Sequence, residues 1–124
     1  TNSSFVVIAH LSFGLNMQHL AEDIMQWPLQ LQVEINEERY LLSHAMTSSP
    51  DKLQSQDYYL TGTQDDVYLD QGILGYISIC GHSCTGGHIW KNHKGTLYAI
   101  DCGCGFRDGK LGCLCLETKE EFYV

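Results

Sequence analysis

Two histidines, His44 and His82, stand where apolar runs end. Tyr76 to Cys80 reads as a buried strand that breaks at Gly81, and Arg39-Tyr-Leu-Leu-Ser43 runs straight into His44. A strand fixes the backbone, and a loop after it leaves the side chain reachable, so strand ends are where metal ligands and catalytic groups are often placed. Neutral imidazole is a common ligand for zinc, manganese or iron. Two imidazoles do not hold a divalent cation alone, because such sites need about three or four protein ligands. Carboxylates would have to supply the rest, and Asp101, closing the run Thr96-Leu-Tyr-Ala-Ile, is the best placed in sequence. The same spacing equally suits two histidines packed or exposed at a sheet edge.

Other residues offer rival chemistry. Cys80, His82, Cys84, His88, Cys102 and Cys104 offer zinc-ligand types, but the usual paired Cys-x-x-Cys signature is absent. Cys84 with His88, or Cys102 with His82, would make a nucleophile pair only if a cation or a helix N-terminus lowered the thiol pKa, and no helix start follows any cysteine. Gly103-Cys-Gly-Phe-Arg-Asp-Gly109 lacks the Lys-Ser/Thr of a phosphate loop and reads as turns. All six cysteines lie between residues 80 and 115. The Cys-x-Cys pairs at 102/104 and 113/115 sit in strand-like runs, where alternate residues share a face, so the expectation is core cysteines in a reducing cytoplasm rather than disulfides.

Several elements must position these groups. Asn16 is a helix N-cap candidate, and Met17, Leu20, Ala21, Ile24 and Met25 recur at helical spacing, which predicts a helix from Met17 to Gln26 before Pro28. Leu29 to Ile35 alternates with period two, Asn36-Glu37-Glu38 is a polar turn, and residues 39–43 return as a second strand. Residues 1–15 read as a strand or an adapted terminal segment. Residues 47–52 read as loop, and Asp51 to Gly72 as loop with short helical pieces. Lys91 to Gly95 is a hairpin turn. A strand from Lys110 to Leu116 and a last strand at Glu121–Val124 follow, so the final third reads as antiparallel β.

With 124 residues the chain is one domain or part of one, large enough to bury a core. A net charge of −8 with only 7 Lys and Arg excludes the clustered positive charge that nucleic acid or an anionic membrane surface requires. No apolar run approaches the roughly 20 residues of a membrane span. The segment Phe5-Val-Val-Ile-Ala is a poor signal peptide, and a cytoplasmic setting is expected. The start at Thr1 suggests that upstream sequence is missing.

Taken together, Ile79-Cys-Gly-His82-Ser-Cys-Thr-Gly-Gly, Gly95-Thr-Leu-Tyr-Ala-Ile-Asp101-Cys-Gly-Cys-Gly-Phe, Gly109-Lys-Leu and Leu114-Cys-Leu-Glu-Thr-Lys-Glu-Glu-Phe-Tyr-Val124 resemble the C-terminal half of calcineurin-like metallophosphoesterases. The nearest type is the bacterial and phage serine/threonine phosphatase and diadenosine tetraphosphatase group. That family carries Gly-His-Thr-Pro and then a strand ending in Ile-Asp-Thr-Gly, and Tyr40-Leu-Leu-Ser-His44-Ala resembles its Val-His-Ala-Gly strand. Ser83-Cys84 stands where the family has Thr-Pro. The resemblance covers about residues 29–124.

It implies an α/β/β/α sandwich with two metals at its strand ends activating a bridging water for in-line attack on phosphorus. Carried over, His44 and His82 would ligate the second metal (Mn, Fe or Zn in the family), and Asp101 would support the site. The family's Asp-x-His-Gly, Gly-Asp-x-x-Asp-Arg and Gly-Asn-His-Glu motifs are absent from these 124 residues. The expectation is therefore an α+β chain, mostly antiparallel sheet with one or two helices, forming half of that sandwich as a single partial domain over residues 1–124. Alone it would be inactive on the family's phosphorylated substrates, with no metal necessarily bound. Exposed core-type surface would favour a homo-oligomer or pairing with a missing N-terminal half. The rival expectation is a non-catalytic β-rich interaction or structural module that keeps the fold.

Overall fold

The computed structural model describes residues 16–46, 56–61 and 66–124. The expected segment 1–15 and the loop 47–52 lie outside them. Helix α1 spans Met17–Ile24 and starts as the sequence predicts, with the Asn16 side chain accepting from the amides of Gln18 and His19. It stops two residues short of Gln26. Gln26 N donates to Asp23 O and Trp27 N to Ile24 O, the tighter bonding that closes a helix ahead of Pro28.

Strands β1 (Gln30–Ile35) and β2 (Glu38–Ser43) pair antiparallel. Their two-residue turn puts Asn36 and Glu37 at φ 52° and 66°, the left-handed pair whose twist matches a hairpin. Two short helices follow, α2 (Gln56–Thr61) and α3 (Asp66–Gln71), then β3 (Ile77–Cys80), β4 (Trp90–Lys91) and β5 (Leu97–Ala99). The chain closes on the antiparallel hairpin of β6 (Gly112–Leu114) and β7 (Glu121–Tyr123).

One sheet has the order β1-β2-β3-β5-β4. Its outer pairs are antiparallel, but β2, β3 and β5 run parallel to one another. This corrects the expectation that the final third is wholly antiparallel. A parallel partner needs a long crossover, and the stretch from His44 to Tyr76, which contains α2 and α3, supplies it. The described residues thus form a mixed α/β structure dominated by strands, with three short helices where one or two were expected.

Both faces of the sheet are buried, as a central parallel strand requires. On one face Leu41, Cys80, Leu97 and Ala99 pack with Met46 and Ile73, and with Leu69 of α3. On the other, Tyr40, Ile79 and Tyr98 pack with Cys102, and with Leu114 and Leu116 of the terminal hairpin. The alternation along β2 and β5 decides which residue goes to which face. Tyr40 fastens the hairpin to the sheet: its hydroxyl lies 2.6 Å from a Glu38 carboxylate oxygen and 3.1 Å from the Leu116 carbonyl, and Lys119 lies over its ring. The outermost apolar side chains, Met25, Trp27, Leu29 and Leu31, remain exposed.

Candidate functional site

His44, His82 and Asp101 each follow the C-terminal end of a strand, and those strands are the three parallel neighbours β2, β3 and β5. Parallel neighbours end on the same edge of the sheet, so the topology delivers all three residues to one place. The crevice beyond the carboxyl ends of such strands is where open α/β sheets bind ligands. Direct hydrogen bonds fasten the loops together. Gly81 N donates to His44 O at 2.8 Å, Ile100 N to Cys80 O at 2.8 Å, and Thr85 N to Asp101 O at 2.8 Å. The Thr85 hydroxyl also reaches the carbonyls of Asp101 and His88.

The two imidazoles meet edge to face, with ring centroids 5.2 Å apart. His82 reaches this position with φ at 67°, a left-handed backbone that costs an ordinary side chain free energy and is found where the surroundings enforce it, often at functional sites. Asp101 Oδ1 accepts from Gly103 N at 3.0 Å, which turns its carboxylate over the loop that follows β5. Gly103 has φ +78°, and a Cβ there would sit 2.6 Å from Cys84 Sγ, so the close approach of the His82 loop to this turn requires glycine.

Solvent reaches His44, yet the protein atoms around it remove enough water to be the main influence on its titration. That burial lowers its pKa below the usual histidine value. The neighbouring His82 lowers it further, and the Asp101 charge opposes both. His44 is thus biased toward the neutral, ligand-competent form.

The imidazoles, Asp101 and Lys110 line a cavity of about 790 Å³. Met25, Trp27, Leu31 and Leu60 form part of its apolar wall. At the other end of the same strands, a depression of about 380 Å³ beside Arg39 and Tyr76 holds no histidine or cysteine.

The donor set fits a metal ion only in part. Neutral imidazoles suit zinc, manganese or iron, but among the described residues no group of three or more His, Cys, Asp or Glu converges as an ion requires. The cysteine-rich zinc alternative fails on the same geometry, since none of its six residues forms such a group. Burial pushes the Cys80 thiol up to about 12 and raises that of Cys102, which disfavours thiolate for ligation or nucleophilic attack. Core cysteines are therefore right for Cys80 and Cys102 but not for Cys84 and Cys113, which are exposed. All six are free thiols.

In the sequence Lys110 reads only as the first residue of a strand, and its place beside the cavity is not foreseen. The available signal was the Gly-rich run before it, which lets the chain fold back on itself. No protein-family model matches the chain, and no curated protein is similar to it. Among the described residues no helix is long and apolar enough to cross a membrane.

Proposed function

We propose that this chain is the C-terminal part of a metal-dependent phosphoesterase, a phosphatase acting on phosphoprotein or nucleotide substrates, and that it is inactive by itself. The observation that carries this reading is that His44, His82 and Asp101 follow the ends of three adjacent parallel strands and line one cavity, the two imidazoles in contact. Their order along the chain follows the metallophosphoesterase resemblance, with Ser83-Cys84 where that family has Thr-Pro. The chain's own share of the work is to hold two imidazoles in a fixed relation and to bring a carboxylate to the same sheet edge. The remaining ligands would come from a segment carrying the motifs these residues lack. The exposed Met25, Trp27, Leu29 and Leu31 offer that segment an apolar face.

Hydrolysis of p-nitrophenyl phosphate with added manganese tests this. The chain alone should give no turnover. An upstream extension carrying Asp-x-His-Gly, Gly-Asp-x-x-Asp-Arg and Gly-Asn-His-Glu should restore it, and His82→Ala should abolish the restored activity. An extended, folded protein that stays inert would favour the second reading, a non-catalytic interaction module. What favours that second reading is the two-donor set itself, since among the described residues no third ligand joins the imidazoles.

A further inference from the structure

Lys110 is the only cation, and Asp101 the only carboxylate, among the described residues lining the His44–His82 cavity. In a chain of net charge −8, with only 7 Lys and Arg, a cation lining this cavity calls for a role. Two other lysines are neutralised: Lys94 lies 3.3 Å from Asp70, and Lys119 lies 2.7 Å from Glu38. Lys110 makes no ion pair among the described residues and rests over the Tyr123 ring, its Nζ 5.5 Å from the centroid. An aromatic face steadies an ammonium group without cancelling its charge.

Its place in the site is set by backbone rather than by chance. After Asp101 the chain loops out and returns, with Phe106 N donating to Gly103 O and Gly109 N to Phe106 O. Lys110 N then donates to Cys102 O at 3.1 Å, and Lys110 forms a β-bridge with Gly103. Gly109 passes so close to the Gly103 carbonyl that a Cβ would collide with it. Lys110 is thus bridged to Gly103, two residues after Asp101, and lines the cavity that the imidazoles line.

We propose that Lys110 is the substrate-anion residue of this site, binding the non-bridging oxygens of a phosphate monoester beside His44 and His82. The assignment rests on the phosphoesterase reading for its substrate class. Lysine suits the task as a mobile point charge with three donors, and it meets a tetrahedral oxyanion without the fixed fork of arginine.

The test is inorganic phosphate binding to the full chain at low ionic strength, read by calorimetry and by phosphorus NMR, without any need for turnover. Wild type should bind phosphate, Lys110→Met should weaken binding at least tenfold, and Lys110→Arg should recover most of it. Lys94→Met, in the turn that precedes β5 and outside the cavity lining, should leave it unchanged. Unaltered affinity in a folded Lys110→Met protein, equal weakening in Lys94→Met, or no phosphate binding by wild type would each overturn the assignment. Lys110-dependent phosphate binding together with an inert extended protein would keep the anion site and discard the phosphoesterase reading. Restored turnover that Lys110→Met leaves untouched would do the reverse.

Discussion

Replacing His82 with glycine separates a residue kept for chemistry from one kept for packing. His82 holds a left-handed backbone, φ 67°, on an exposed loop. That conformation costs a residue bearing a Cβ roughly 1–2 kcal/mol, and glycine escapes the cost. Glycine also loosens the unfolded chain, which takes back about 0.4–1 kcal/mol. The edge-to-face contact with His44 is lost too, worth on the order of 0.5 kcal/mol at a solvent-reached position. The sum is near zero or slightly favourable, so His82→Gly should match or exceed wild type by up to about 1 kcal/mol, or about 4 °C in Tm. Urea denaturation and thermal melts measure it. The variant carries a second signature: without the His82 ring beside it, His44 loses one of the influences that lower its pKa and should titrate at higher pH. A loss of stability beyond roughly 1 kcal/mol, a size that burying or satisfying a side chain would explain, would mean that His82 is a structural residue and that the strain argument is wrong.

Three further outcomes are expected. The folded pKa of His44 is lowered below 6.5, so its contribution to stability is fully present above pH 6.5 and is lost as the pH falls through the folded pKa. Melts between pH 7.5 and 5 should show that acid loss in wild type and a shallower one in His44→Gln, and identical slopes would contradict it. Ser78 is buried with its hydroxyl unpartnered, so Ser78→Ala should stabilise the chain by about 1 kcal/mol in denaturant titration, and a destabilisation would show that the hydroxyl has a partner. In the folded chain Cys84 and Cys113 should react first with a disulfide reagent while Cys80 and Cys102 stay protected until denaturant is added, whereas six equal rates would refute the burial pattern.

The local elements were legible because their signals are local. Asn16 announced a helix start through its side chain, and the period-two alternation from Leu29 announced β1. The hairpins at Asn36-Glu37 and at Lys91–Gly95 followed from polar turns between apolar runs, and in the second Asn92 Oδ1 ties the turn by accepting from Thr96 N and Leu97 N. Direction was not legible. Ile77–Cys80 looks the same whether its neighbours run parallel or antiparallel, because its partners Tyr40–Ser43 and Leu97–Ala99 lie far along the chain.

The candidate site depended on that direction. His44, His82 and Asp101 could be picked as strand-end residues, but only the parallel order of β2, β3 and β5 brings them to one edge. Cysteine burial went half unseen for a related reason. Cys102 is buried beneath the terminal hairpin although it lies outside any strand, while Cys113, inside β6, faces solvent. Lys110 needed the three-dimensional return of the 103–109 loop, which no periodicity reports.

The most direct test of the central claim, that His44 and His82 act as one pair toward one ion, is a zinc titration of the full chain followed by the proton and nitrogen resonances of its histidines. The expected result is one weak site at which the His44 and His82 signals move together. His44→Ala and His82→Ala should each abolish it, and His88 and His93 should stay unmoved. Independent titration of the two imidazoles, or binding that survives the loss of either, would contradict the claim.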